Sequence, residues 1–324
     1  MHCKRSPIGA FAGGRYPREV AVVAAGHGPH EAGDEPQRHL QSMFDARGIC
    51  TRGKSPHSVR HQQNMSSNLP LPDLTGRIAL VTGGGRGIGR ATARDLASGG
   101  AAVAVVSRTA EQLDEVVATV AAHGGHAVAF AADLADLDQI PALLAHIHDR
   151  LGLVDILIND AATVAPLGPT AELNPAQVDA AFRLNVTSLI ALSGAVLPDM
   201  LERAWGRIVN ISTGVVSRPA SMIGGTTYTA TKAAVEAHTI NLAAELADSG
   251  VTVNGYRPGR VDTSMQEWIR SQDPERVGKQ LVARFAAMHA EGQLISAERS
   301  ARRLVTRLAG SDTGHVWDVD DPLV

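Results

Sequence analysis

Thr82-Gly83-Gly84-Gly85-Arg86-Gly87-Ile88-Gly89 follows the apolar run Ile78-Ala79-Leu80-Val81 without a break. A short apolar run that ends in glycines and leads into the helical pattern of 88–98 reads as a strand turning tightly into a helix. The spacing is GxxxGxG. Glycines there let the chain turn and let backbone N–H groups approach a phosphate, while the helix aims its positive end at the same point. A turn with no ligand is the plainer reading, and the flanking strand and helix argue against it.

Outward from this segment, short apolar runs alternate with helical patterns from Leu74 onward. The strand candidates are 77–82, 102–107, 126–131, 154–159, 206–212, 251–257 and 315–319, with helices near 88–98, 110–122, 137–150, 175–203 and 228–248. Val103-Ala-Val-Val106 and Val154-Asp-Ile-Leu-Ile158 are apolar almost throughout, as strands covered on both faces should be. Gly99-Gly100, Gly124-Gly125 and Gly250 follow three of the helices, where a left-handed terminating residue is needed. Right-handed crossovers then give an α/β fold, a single doubly wound, Rossmann-like parallel sheet with helices on both faces. An insertion follows the sixth strand, and no internal repeat is present.

The 324 residues are 44% hydrophobic and 19% charged, enough for one large core. A net charge of −3 gives no reason to expect nucleic acid or an anionic membrane as partner. The two cysteines, Cys3 and Cys50, both precede the glycine-rich segment, so no disulfide framework is expected and the reducing cytoplasm suits the chain. Gly, Pro or charge interrupts the apolar stretches short of the ~18 residues of a membrane span. Residues 1–64 differ: they hold six of the thirteen histidines and only one apolar run, Val20–Ala25. A signal peptide is not expected without an h-region, and Glu19, Glu31, Asp34, Glu35 and Asp45 argue against a transit peptide. The histidine spacings match no standard metal site. We expect residues 1–68 to be a disordered or over-extended tail, with Met65 just before the ordered pattern, and the folded domain to span 69–324.

Tyr228-Thr-Ala-Thr-Lys232 is the second decisive stretch. On a helix, i and i+4 share a face, so a phenol and an ammonium stand side by side. A phenol with pKa ~10 is inert at neutral pH, and a neighbouring cation that stabilises its anion makes it a usable proton donor and acceptor. At the end of the second strand stand Ser107 and Arg108 rather than an acid, and Arg86 lies in the glycine loop. An acid there accepts from a ribose 2′-OH, whereas two guanidinium groups clamp a 2′-phosphate, so NADP(H) is favoured over NAD(H). Asp133, after the third strand, can accept from the adenine amino group.

On these motifs the chain resembles the short-chain dehydrogenase/reductase family, in particular its 3-oxoacyl reductase-like members, over roughly residues 74–320. The family's TGxxxGxG is Thr82–Gly89, its Asn-Asn-Ala-Gly is Asn159-Asp160-Ala161-Ala162, and its helix asparagine is Asn185. Pro258-Gly259 follows the sixth strand, with Val261 and Thr263 where the family contacts nicotinamide. The resemblance implies strand order 3-2-1-4-5-6-7 and a homodimer or homotetramer built through the fourth and fifth helices. It implies cofactor contacts at Gly83, Gly85, Arg86, Gly87, Ile88, Gly89, Ser107, Arg108, Asp133, Leu134, Asn159, Asp160, Ala161, Tyr228, Lys232, Pro258, Gly259, Val261 and Thr263. It also implies hydride transfer between nicotinamide and a carbonyl or secondary alcohol, with Tyr228 as acid/base and Lys232 activating it and holding the ribose. Asn185 is expected to hold a water that relays protons from Lys232.

Two departures stand out. The family's Ser-Ser pair at the end of the fifth strand is Ser212-Thr213 here, and successive strand residues face opposite ways. Register favours Thr213 as the hydroxyl that holds the substrate oxygen, with Ser212 the alternative. The other departure is Asp160 and Ala162 within the Asn-Asn-Ala-Gly segment, where a carboxylate near cofactor needs backbone N–H donors to be tolerated. A sugar-nucleotide epimerase or dehydratase more often carries GxxGxxG and a larger C-terminal domain, and a cofactor-sensing regulator is expected to lose Tyr or Lys. A lid is expected at about 263–290, partly apolar through Met265, Trp268, Ile269, Leu281, Val282, Phe285 and Met288. The substrate class stays open among 3-oxoacyl thioesters, steroid or terpenoid ketones and small secondary alcohols.

Overall fold

A computed structural model describes residues 69–323; the tail expected at 1–68 lies outside the described residues. Seven parallel strands form one sheet in the order β3-β2-β1-β4-β5-β6-β7. They are β1 (Ile78–Thr82), β2 (Ala102–Ser107), β3 (His126–Ala131), β4 (Ile156–Asn159), β5 (Gly206–Ile211), β6 (Val251–Arg257) and β7 (Val316–Asp318). Every pairing is parallel, from Ile78 opposite Ala102 to Arg257 opposite Asp318. Each strand therefore ends at one edge of the sheet, and the chain reverses direction in strand order beside β1 and β4. A crevice at such a point is where doubly wound folds bind ligands.

The helices are α1 (Gly87–Ser98), α2 (Ala110–Ala122), α3 (Gln139–Leu151), α4 (Pro175–Phe182), α5 (Ser188–Glu202), α6 (Thr226–Glu245), α7 (Ser264–Arg270), α8 (Pro274–Val277), α9 (Lys279–Ala290) and α10 (Ala297–Arg307). Alternate strand residues feed two cores. Ala79, Val81, Val103, Val105, Ile156 and Ile158 pack against α1, α2 and α10, while Leu80, Ala104, Val106, Leu157 and Ile208 pack against α3, α5 and α6. At about 25 cal/mol per Å² of apolar surface, such two-sided burial is the main stabilising term.

Two features were not anticipated. The helix expected at 175–203 is interrupted by a π turn, Arg183–Thr187, which carries Asn185. Pro175–Glu202 is also apolar and long enough to cross a membrane by length and composition alone, which corrects the expectation that every apolar stretch falls short. Here Leu189, Leu192, Val196 and Met200 of α5 are buried within the protein. The second surprise is α10, capped by Ser296 Oγ, which accepts from the Arg299 N–H at 3.1 Å. Its Arg302 grips Asp95 of α1 through two nitrogens, at 2.9 and 2.8 Å.

Candidate active site

The glycine loop is shaped by close approach. Gly83 has φ +65°, and a Cβ there would lie 3.0 Å from the Ala161 nitrogen; a Cβ on Gly89 would lie 2.4 Å from the Gly83 carbonyl oxygen. No side chain larger than hydrogen fits at either position. Thr82 ties this loop to the next strand: its Oγ1 accepts the N–H groups of Asp160 and Ala161 at 3.0 and 3.1 Å. Helix α1 starts without a side-chain cap and without an acid in its first turn, so the backbone donors near Gly87 and Ile88 are free for an anion. Thr263, the N-cap of α7, reaches over Gly87, its methyl 3.4 Å from where a Cβ would sit.

At the far side of the loop, a Cβ on Gly85 would lie 2.9 Å from Ser107 Oγ. Arg86 and Arg108 are exposed there. Among the described residues neither has a carboxylate within ion-pair distance. Asp133 caps its own turn through Oδ1, which accepts the Ala135 N–H at 3.1 Å. The loop and the uncapped helix end suit the pyrophosphate of a nicotinamide dinucleotide.

Several expected cofactor residues spend their side chains within the fold. Asn159 is 4% exposed and points sideways, its Nδ2 donating to Asn210 Oδ1 at 2.9 Å, and Asn210 Nδ2 donates on to Thr239 Oγ1. Leu134 lies in the core beneath α3, and Val261 packs with Ala91, Ala297 and Ala301. Their side chains are out of reach of a ligand, leaving only their backbones. Pro258 is buried with its carbonyl accepting from Ser300 Oγ, and Gly259 takes φ +83°. Ala162, where the family pattern has glycine, is not among the residues with positive φ, so the backbone there accommodates a side chain.

Tyr228 and Lys232 lie one turn apart on α6. Lys232 is buried and Nζ donates to the Ile211 carbonyl at the end of β5, 2.6 Å away. The Tyr228 hydroxyl lies near Thr213, whose side chain favours the phenolate against the effect of burial. Ser212 faces the other way, as strand alternation requires: Oγ donates to Glu236 Oε1 at 2.6 Å, and that carboxylate is gripped by Arg257 Nε and Nη2, both at 2.8 Å. The Ser212 hydroxyl is thus committed, and Thr213 is the one beside the phenol. Sequence reasoning missed Glu236 and Arg257, although Glu236 stands four residues after Lys232 on the same helix face.

Asn185 is likewise committed. Its Oδ1 accepts the Thr163 N–H at 2.8 Å, and its Nδ2 hydrogens go to the Thr163 carbonyl at 2.8 Å and Thr231 Oγ1 at 3.0 Å. The side chain clamps the segment after β4 and has no N–H left to donate, so a water held at Asn185 would meet one of its oxygens.

Burial pushes the Tyr228 phenol up to about 12, with Asp160 adding to the rise and Thr213 opposing it. Burial draws Lys232 down to about 8, against the pull of Asp160. Asp160 itself is pushed up to about 6 by burial, while Lys232 and the Gly89 N–H hold it down.

A family model described as short chain dehydrogenase matches residues 77–274, from β1 through the glycine loop and Tyr228 to α8. A 3-oxoacyl-[acyl-carrier-protein] reductase of Synechocystis is 35% identical over 256 residues, covering 78% of this chain and 98% of that one. A short chain dehydrogenase of Pseudocercospora fijiensis is 36% identical over 195 residues, 59% of this chain, and the chain spans 62% of its length. The solved structure of a putative NAD(P)-dependent gluconate 5-dehydrogenase from Beutenbergia cavernae, with NADP bound at low occupancy, superposes with a TM-score of 0.67 at 32% identity, covering 76% of this chain and 96% of that one. The chain belongs to the short-chain dehydrogenase family. It is an NAD(P)-dependent oxidoreductase of the class that acts on CH–OH and C=O groups.

Proposed function

We propose that the protein transfers hydride between NADP(H) and a carbonyl or secondary alcohol, with Tyr228 as the proton donor and acceptor. One observation carries the reading: Tyr228 and Lys232 lie one turn apart on α6, and Lys232 Nζ is anchored at the end of β5, the strand edge that also bears the glycine loop. With its pyrophosphate at that loop, the dinucleotide would supply hydride to a carbonyl carbon, or take it from an alcohol, through its nicotinamide.

The residues of the chain do the rest. Tyr228 Oη gives its proton to the carbonyl oxygen during reduction, and a phenol held up at about 12 is fully protonated at neutral pH, the form this step needs. Thr213 Oγ1 donates to the same oxygen and orients it. Lys232 Nζ, anchored on the Ile211 carbonyl, holds a positive charge near the developing phenolate and lies within the ribose side of the site. Asn185 is a positioning residue that fixes Thr163 and Thr231. Arg86 and Arg108 are assigned to a 2′-phosphate, which favours NADP(H) over NAD(H), in line with the NADP of the Beutenbergia cavernae structure.

A small-molecule carbonyl or alcohol with an apolar body is the proposed substrate, because Tyr228 packs against Val164, Leu167, Met222 and Phe285 under α7–α9, our proposed lid. A homodimer through α5 and α6 is the proposed assembly, supported by Ile190 and Ile240, exposed at 42% and 51% on those helices. The cytoplasm is the proposed compartment. Tyr228→Phe keeps the ring and removes the proton, so NADPH binding and melting temperature should hold while ketone reduction falls by ~10²-fold or more. Near-normal turnover by this variant overturns the assignment.

A further inference from the structure

Helix α6, which carries Tyr228, meets the sheet through polar contacts at one-turn intervals. Lys232 Nζ donates to the Ile211 carbonyl, Glu236 meets Ser212 and Arg257, and Thr239 Oγ1 accepts from Asn210 Nδ2 at 2.9 Å. The middle contact joins the most elements. Glu236 Oε1 accepts from Ser212 Oγ at 2.6 Å and from Arg257 Nε at 2.8 Å, and Oε2 accepts from Nη2 at 2.8 Å. Arg257 ends β6; its carbonyl accepts the Val319 N–H at 3.0 Å, and its Nη1 lies 3.5 Å from Asp318 Oδ2 of β7. The Ser212 N–H donates to the Tyr256 carbonyl of β6 at 2.7 Å. Helix α6, β6, β7 and the end of β5 are thus tied together one residue before Thr213 and one turn beyond Lys232.

Stability is a poor reason for this pair. The Arg257 and Glu236 side chains are 17% and 10% exposed, and an ion pair so placed gives up hydration that its attraction returns only in part. Apolar side chains of similar volume often hold a helix on a sheet as firmly. They do not fix direction. A guanidinium and a carboxylate joined by two parallel hydrogen bonds hold each other in one plane and at one distance. Lys232 cannot supply that constraint, because in the proposed chemistry its ammonium also serves the phenolate and the ribose. The Thr239–Asn210 contact is a single neutral bond three turns from Tyr228.

We propose that Glu236 and Arg257 are positioning residues: their fork sets the turn of α6 that bears Tyr228 and Lys232 against the end of β5 that bears Thr213. What that turn does rests on the oxidoreductase reading, whereas the hold of the fork on the turn rests on the contacts alone. The Ser212 hydroxyl is a side branch, and Ser212→Ala leaves the fork intact.

The test replaces the fork by apolar side chains in the full chain. Ser212→Ala/Glu236→Met/Arg257→Met leaves no buried hydroxyl without a partner, and Ser212→Ala alone is its reference. The melting temperature should stay within about 2 °C of the reference or rise. With saturating NADPH, kcat for ketone reduction should fall about tenfold or more, as small misplacements of reacting groups do, while KM for the ketone and NADPH affinity change by about twofold or less. Hydrogen exchange of the amides in 226–236 should quicken by about tenfold, with α2 unchanged. Normal kcat, or normal exchange in 226–236, overturns the proposal. If the triple variant does not fold, Arg257→Lys decides: it keeps the charge and loses the fork, so kcat should fall about threefold or more, and a value within about twofold of wild type overturns the positioning role. A wild-type protein that reduces no ketone with NADPH sinks the oxidoreductase reading, and exchange in 226–236 still decides whether the fork holds the turn.

Discussion

Asp160→Asn probes how a carboxylate is tolerated at the cofactor end of the sheet. Asp160 follows β4 and is partly buried; burial raises its pKa from 3.8 to about 6, outweighing the nearby Lys232 charge and Gly89 N–H, which both favour its anion. A carboxyl raised on folding keeps its proton longer in the native state. Its favourable contribution is full below about pH 4 and is lost as pH rises through about 6. The difference between 3.8 and about 6, at ~1.4 kcal/mol per pH unit, sets a ceiling of ~3 kcal/mol for the cost at pH 7, with the attraction of Lys232 already included. Residual solvent access screens the group, so about half that ceiling is the working figure. Asparagine keeps an acceptor for Gly89 and carries no charge. The melting temperature of the variant should match the wild type near pH 4 and exceed it by ~3–6 °C near pH 7, since each kcal/mol moves a domain of this size by ~2–4 °C. NADPH should also bind more tightly to the variant at pH 7, because a pyrophosphate at the α1 N-terminus no longer meets a carboxylate. Scanning calorimetry across pH checks the first outcome. A difference in melting temperature that stays flat with pH, or a variant less stable at pH 7, refutes the reasoning.

Other substitutions test the remaining parts of the site. Arg108→Asp places a carboxylate where the 2′-phosphate is assigned, so NADPH affinity should fall by about tenfold or more while NADH affinity holds or rises; an unchanged ratio by calorimetry removes Arg108 from the cofactor site. Thr213→Val should lower kcat/KM by about tenfold or more, whereas Ser212→Ala should cost about threefold or less, because the Ser212 hydroxyl is spent on Glu236. The reverse ranking in steady-state assays moves the oxygen-holding role to Ser212. Glu236→Ala leaves Arg257, 17% exposed, with only the 3.5 Å contact to Asp318, and should destabilise the protein by ~2 kcal/mol, or ~4–8 °C. A melting temperature within about a degree of wild type shows that the network contributes nothing to stability.

The fold was legible because its strands are buried on both faces. Uninterrupted runs such as Val103–Val106 cannot be read as half-exposed hairpin strands, and the glycines after α1 and α2 do take positive φ, +95° at Gly100 and +76° at Gly124. Helix α10 escaped notice for an electrostatic reason. Glu298, Arg299, Arg302, Arg303 and Arg307 swamp the stripe of Ala297, Ala301, Leu304 and Val305, and the long arginine stems cover apolar surface while their heads find Asp95, Asp320 and the Asp321 carbonyl. The π turn at Asn185 was not legible either, since one extra residue in a helical turn leaves the 3.6-residue pattern nearly intact.

Within the site, motif spacing located the residues but not their commitments. Asn159, Asn185 and Ser212 are all polar, all at the expected positions, and all spent on partners distant in sequence: Asn210, Thr163 and Glu236. Such partners come from other elements of the sheet, and nothing in local periodicity reveals them. Thr213 differs from its neighbour by a single step along the chain, which turns its hydroxyl from Glu236 to Tyr228. A buried polar group that lacks a partner costs about 1–3 kcal/mol, so the fold satisfies what it buries, and the groups left free to meet a ligand are the ones it does not use. By that criterion the groups left for the proposed chemistry are Tyr228, Thr213, the amides at the α1 N-terminus, Arg86 and Arg108.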